Sequence, residues 1–137
     1  METCLFCKII AGEIPCTKVY EDDTVLAFLD IHPTNIGHTL VIPKTHFPNL
    51  YETPDKTLAQ MMMIVKKLSV AIKTAVGAAG INIEMNNDQI AGQIIFHTHI
   101  HIVPRFSDDG FTHWNSARDY HEGEGNEIAK NIIASLR

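Results

Sequence analysis

Basic charge is in short supply in this 137-residue chain: 11 Lys and Arg stand against 16 Asp and Glu, for a formal net charge of -5. A broad grip on nucleic acid draws its affinity from many Lys and Arg contacts to phosphates, so this balance argues against one. A single mononucleotide held in a local pocket stays compatible with it. No window approaches the run of about 18 apolar residues that a bilayer-spanning helix needs, so no membrane partner is expected. The start, Met1-Glu2-Thr3-Cys4, is acidic and meets Lys8 after a very short apolar stretch, which is the layout of neither a signal nor a transit peptide, and a cytoplasmic location is expected. Cysteine is scarce, with Cys4, Cys7 and Cys16 only. An odd set with two members three apart suits a reduced compartment and a metal site better than a disulfide framework. The chain lacks internal repeats, low-complexity tracts and any Pro/Gly/Ser linker, so one domain over 1–137 is expected. It also lacks a Gly-x-x-x-x-Gly-Lys loop for cradling a triphosphate.

With 45% hydrophobic and 20% charged residues, the chain has the composition of a globular domain that can bury a core without disulfide staples. Residues 4 to 11 predict a short helix ended by Gly12. Thr17 to Glu21 and Thr24 to Leu29, rich in β-branched and aromatic residues and split by Asp22-Asp23, predict a hairpin. After the loop Asp30 to Gly37, His38 to Pro43 reads as a third strand. The clearest helix runs from Thr53 as N-cap, with Pro54 at its first position, to Val76 with Gly77 beyond its end. Leu58, Met61, Met62, Val65, Leu68, Ile72 and Ala75 recur at steps of three and four and form its packing face. Met61 to Met63 read as gap-filling core residues rather than a soft metal site. Ile81 to Asn86 and Ile95 to Val103 predict two further strands, Ser107 to Asn126 a long loop, and Ile128, Ile132, Ile133 and Leu136 a closing helix. Without regular βαβ alternation, this pattern indicates an α+β fold with a mostly antiparallel sheet.

The segment Gln93-Ile94-Ile95-Phe96-His97-Thr98-His99-Ile100-His101-Ile102-Val103 carries the chemistry. On a strand, the period of two sends His97, His99 and His101 to one face, spaced at roughly 6 to 7 Å. Such a row is either a set of half-exposed polar positions or a group that is metal-bound, hydrogen-bonded or catalytic, since burying unpaired ring nitrogens costs about 1 to 3 kcal/mol each. A neutral imidazole is a good nucleophile toward phosphorus near pH 7, and departs readily when water attacks the phosphoramidate it forms. The carbonyl of His97, two residues before His99, is within reach to hold one ring nitrogen of His99. His101 can then bind phosphoryl oxygens or protonate the leaving atom.

Several separate blocks in this order make the chain resemble the histidine triad nucleotide-binding proteins, and their small phosphoramidate-hydrolase branch in particular. They are Cys4 to Ile10, Phe28-Leu29-Asp30-Ile31, Gly37 to Lys44, and Gly92-Gln93 with the triad. The resemblance implies a five-stranded mostly antiparallel sheet with one long and one short helix, and a homodimer. It implies cleavage of a nucleoside monophosphate, purine for preference, from an amine or similar leaving group, through a nucleotidyl-histidine intermediate. His99 is then the nucleophile, His101 assists at the scissile bond, and His38 supports the row. Asn86 and Gln93, next to Gly92, contact phosphate and leaving group; Asp30 holds the ribose hydroxyls; Phe6, Phe28, Ile31 and Leu40 wall the base. Where these hydrolases carry Ser or Thr after the Gly-Gln pair, this chain has Ile94, so a hydroxyl near the phosphate is missing.

Cys4 and Cys7 have the spacing of a metal-binding knuckle, with His46 and His97 as candidates to complete a tetrahedron. Bacterial-looking members of the family pair such a Cys-x-x-Cys with these two histidines around a structural zinc, which the chemical step does not require. Two other readings are open: a nucleotide-binding interaction module with weak or vestigial catalysis, to which Ile94 lends support, and a catalytic metal held by His97, His99 and His101. His32, His113 and His121 fall in loops without an assigned role, and Trp114 reads as a packing or dimer-contact residue.

Overall fold

The computed structural model describes residues 3–114 and 117–136; Met1 and Glu2 of the acidic start lie outside them. Helix α1 (Leu5–Ile10) is followed by strands β1 (Lys18–Glu21), β2 (Val25–Leu29) and β3 (Thr39–Pro43). Then come the long helix α2 (Asp55–Val76), strands β4 (Gly80–Glu84) and β5 (Ile100–Arg105), and helix α3 (Glu124–Ser135). The five strands form one sheet in the order β1-β2-β3-β5-β4, antiparallel throughout, so the α+β reading holds. One long helix and two short ones accompany it.

The hairpin turns where Asp22-Asp23 predicts, because Asp22 Oδ1 accepts the backbone N–H groups of Thr24 and Val25, both at 2.8 Å. In β2, alternate residues serve opposite faces. Val25 and Ala27 join Val41, Ile100 and Ile102 beneath Met61, Val65 and Leu68 of α2, while Leu26 and Phe28 join Leu40, Ile42 and Phe6 on the other face. Burying each such large apolar side chain contributes about 1.5–3 kcal/mol. Helix α2 therefore closes one face of the sheet, leaving the other to α1 and the histidines. Gly37 (φ +88°) makes the turn into β3 where a Cβ would meet Val76 at 3.1 Å and Pro104 at 3.2 Å, so its missing side chain permits a close approach.

The boundaries differ from expectation for physical reasons. Strand β5 starts at Ile100 rather than Ile95, because the main chain before it bonds elsewhere: Thr98 N–H donates to the Phe47 carbonyl at 2.7 Å. Thr53 is not the N-cap of α2. It is buried and ends a 3-10 turn (Leu50–Glu52), its hydroxyl donating to Asn49 C=O at 2.7 Å and lying 2.8 Å from the Thr98 hydroxyl, and Pro54 takes the cap position without a side-chain bond. Only Met61 of the three adjacent methionines is core; Met62 and Met63 are exposed, as is Ala75. Strand β4 ends at Glu84, and α3 begins at Glu124 inside the expected loop. Among the described residues, no helix is long and apolar enough to cross a membrane.

Candidate functional site

Two clusters meet at the end of the sheet where β3 and β5 pair, and His97 belongs to the first. Its Nε2 donates to the Pro43 carbonyl at 2.8 Å, which leaves Nδ1 with a lone pair. That Nδ1 lies 3.5 Å from Cys4 Sγ, 3.6 Å from Cys7 Sγ and 3.2 Å from His46 Nδ1, and Cys7 Sγ lies 3.4 Å from His46 Nδ1. A tetrahedral ion with ligands at 2.0–2.3 Å separates its donors by about 3.3 to 3.8 Å. The four donors thus converge as a metal requires, and this Cys₂His₂ cluster can bind one. Without a cation the set is poorly balanced: burial and the neighbouring Cys4 push the Cys7 thiol up, while burial pushes His97 down to about 4.

The second cluster is a chain of imidazoles whose protons are fixed by the backbone. His99 Nδ1 donates to the His97 carbonyl at 2.7 Å, so its Nε2 carries the lone pair. Thr34 N–H can only donate, and it lies 3.0 Å from His38 Nδ1, which must accept. The proton of neutral His38 then sits on Nε2 and is donated to His101 Nδ1 at 2.9 Å, which places the His101 proton on its own Nε2. Burial keeps these rings neutral. It pushes His38, His99 and His101 below the ordinary histidine range, His101 to about 4. The carboxylates of Asp30 and Glu84 pull His38 partly back. The His99 and His101 rings stand 5.0 Å apart, and Phe6 meets His99 edge-on at 5.1 Å.

His97, His99 and His101 therefore do not aim three free nitrogens at one point. Asp30, His38 and His101 also lie close enough to share an ion, but the His38 and His101 nitrogens are already spent on each other.

A cavity of about 420 Å³ opens over His99 and His101. Phe6, Phe28, Asp30, Ile31, Leu40, Asn86 and Gly92 all line it, as does Ile94, which is 84% exposed at the rim. Asp30 Oδ1 accepts the His32 N–H at 2.8 Å, and its Oδ2 stays 3.7 Å from His38 Nε2. Gln93 departs from the expected set. It is 3% exposed, its Oε1 accepts Asp88 N–H at 2.9 Å, and its Nε2 donates to the Pro48 and Ile95 carbonyls at 2.7 and 3.1 Å. Its side chain ties the loop together and does not line the cavity. Thr34 and Glu84 went unnoticed in the sequence: Thr34 acts through its backbone, which no side-chain pattern signals, and Glu84 through strand register, which only the pairing of β4 with β5 signals.

These features define a largely apolar cavity with His99 and His101 in its lining, beside a thiol–imidazole cluster that can bind a metal. The sequence pattern of the HIT domain matches residues 11–108. The Protein hit of Bacillus subtilis is 47% identical, with 98% of this chain and 97% of that one covered. The adenosine 5'-monophosphoramidase hnt1 of Schizosaccharomyces pombe is 46% identical over 75% of this chain and 74% of its own. The adenylylsulfatase HINT3 of Arabidopsis thaliana is 54% identical over 74% of this chain but 52% of its own length. Among solved structures, a HIT family protein from Bacillus anthracis superposes with a TM-score of 0.91 at 41% identity, covering 99% of each chain. A Zn-bound histidine triad family protein from Mycobacterium smegmatis does so with 0.78 at 36% identity, covering 98% of this chain and 99% of that one. The chain belongs to the HIT family.

Proposed function

We propose that the chain hydrolyses nucleoside 5'-phosphoramidates by double displacement, adenosine compounds for preference. The observation that carries this reading is the bond from His99 Nδ1 to its own backbone, which leaves Nε2 as a nucleophile at the floor of the cavity. The base lies between Phe6, Phe28, Ile31 and Leu40, Asp30 takes the ribose hydroxyls, and Asn86 and Gly92 lie near the phosphate. The bound phosphoryl anion offsets the burial of the His38–His101 pair, which takes up one extra proton at His38 Nδ1 as that nitrogen gives up the Thr34 N–H. His99 Nε2 forms a bond to phosphorus as the P–N bond breaks, and the electron pair stays on the departing nitrogen, which takes a proton from His101 Nε2. Water then supplies hydroxide to phosphorus and a proton to the pair, and His99 leaves neutral. The preference for adenosine is supported by the names of the two relatives called adenosine 5'-monophosphoramidase and adenylylsulfatase.

The metal cluster is read as a structural zinc site. Cys4, Cys7, His46 and His97 would hold the ion, and four protein ligands leave no open position, so it ties α1 to the sheet and takes no part in bond making. The Zn-bound mycobacterial relative supports the choice of ion. A homodimer is part of the same reading: α3 leaves Ile128, Ile132 and Ile133 exposed, a face that a second copy can cover.

The test is release of AMP from adenosine 5'-phosphoramidate by the purified protein, with acid quenching to trap a nucleotidylated His99. Turnover in the parent and none in His99→Ala is the expected result. Tight nucleotide binding without turnover in the parent would instead support the interaction-module reading.

A further inference from the structure

The hydrogen bond that fixes the His99 proton belongs to a peptide group with two ends. His97 supplies the carbonyl, which accepts His99 Nδ1–H at 2.7 Å, and Thr98 supplies the N–H, which donates to the Phe47 carbonyl at 2.7 Å. A peptide is planar, so tilting one end tilts the other, and donation by the N–H strengthens the carbonyl as an acceptor. Phe47 stands between His46, a member of the metal-binding cluster, and Pro48, whose carbonyl accepts Gln93 Nε2 at 2.7 Å. The side chain of Thr98 adds a second brace. It is 2% exposed, and its single hydroxyl hydrogen has two acceptors in reach, the Thr53 hydroxyl at 2.8 Å and the Phe47 carbonyl at 3.1 Å. Thr53, 5% exposed at the foot of α2, passes its own hydrogen to Asn49 C=O at 2.7 Å. Burying a hydroxyl costs free energy unless it is bonded, and a valine of nearly the same shape would need no partner at all. The two threonines thus join the peptide that holds His99 to the start of the long helix, through side-chain atoms the reaction does not otherwise use.

We propose that Thr98 is a positioning residue: its hydroxyl, braced on Thr53, holds the His97–Thr98 peptide in the plane that keeps the hydrogen on His99 Nδ1 and aims Nε2 at phosphorus. The inference rests on the hydrolase reading for what His99 does, but not for where its hydrogen sits. Thr98 does not line the nucleotide cavity. Its influence reaches the reaction through the tilt of one carbonyl, and so belongs to kcat rather than to substrate affinity. A misplacement of about 1 Å can cost about a hundredfold in rate, so the smaller tilt that follows loss of the hydroxyl should cost about fivefold to tenfold.

The experiment compares the parent with Thr98→Val, which keeps the shape and removes the hydroxyl, Thr98→Ser, which keeps the hydroxyl, and Thr53→Val, which removes the brace. Leu68→Ala controls for lost stability alone, since it lies in the α2 core about 20 Å along the helix from Asp55. With adenosine 5'-phosphoramidate, kcat should fall about fivefold to tenfold in Thr98→Val and Thr53→Val at a KM within about twofold of the parent's. It should recover in Thr98→Ser and hold in Leu68→Ala despite a lower Tm. Proton NMR of the nitrogen-labelled protein without substrate follows the His99 Nδ1 hydrogen directly. That hydrogen should exchange with solvent at least about fivefold faster in both valine variants, and at the parent's rate in Thr98→Ser. An unchanged exchange rate in Thr98→Val overturns the assignment whatever kcat does. So does a kcat in Thr98→Val within about twofold of the parent's, or an equal loss of kcat in Leu68→Ala. If Thr98→Val does not fold, Thr53→Val is read in the same way. If the parent turns over no substrate, the hydrolase reading fails, and the exchange rate alone decides Thr98.

Discussion

Replacing Gln93 by Met removes an amide while nearly keeping its volume, and the structure sets the size of the effect. Three hydrogen bonds disappear, leaving the Asp88 N–H and the Pro48 and Ile95 carbonyls without their side-chain partner. Each buried group left unsatisfied costs about 1–3 kcal/mol. The Asn87–Ile94 connection is exposed over most of its length, so water can reach some of these groups, and the total should lie near the low end, about 3 kcal/mol. One of them also holds Asp88, the non-glycine residue at φ +75°, in a conformation its side chain disfavours. For a chain of this length, about 3 kcal/mol corresponds to a Tm lower by about 10 °C, out of a total stability of about 5–15 kcal/mol. Urea denaturation and thermal melts measure it directly. At a temperature where the variant is folded, kcat should change far less than stability. A variant as stable as the parent that has lost kcat selectively would refute the reasoning and return Gln93 to the phosphate.

Other outcomes follow from the same geometry. His38→Ala removes the donor that keeps the His101 proton on Nε2, so kcat should fall on the order of tenfold to a hundredfold with KM little changed, as steady-state kinetics on the phosphoramidate would show. Chelation should remove one zinc per chain and lower Tm, while the folded fraction keeps turning over; atomic absorption and melts under chelator check this, and arrest of turnover at constant Tm would contradict it. His101 has its folded pKa depressed to about 4, below the ordinary histidine value near 6.5 that it regains on unfolding. The unfolded chain thus binds the extra proton first, so its contribution to stability is complete above about pH 6.5 and is lost as pH falls toward 4. Denaturant midpoints measured across that window should drop toward acid.

Much of the site was legible because its signals are local. The alternation at 97, 99 and 101 puts two of the rings in the cavity, and the Cys4–Cys7 spacing marks one half of the metal cluster. The strand itself was read five residues too early at its start, since periodicity in side chains outlasts the ladder: His99 faces the cavity from a stretch whose main chain bonds to Phe47 instead. Thr53 has the composition of a cap, yet a buried partner, the Thr98 hydroxyl, claims it, and no sequence rule weighs that competition. Gln93 and Glu84 fail for the opposite reason. What each does is decided by a residue distant in the chain, Pro48 for one and the opposing His101 for the other.

The tether on His99 is a peptide oxygen, and no codon change at position 97 can delete it. A His97→Ala substitution should therefore strip a ligand from the sulfur cluster yet leave the nucleophile's hydrogen atom where it is, provided the main chain keeps its path. Structural support and reactivity pass through a single residue here, but by separable atoms, so the first can be dismantled while the second is watched.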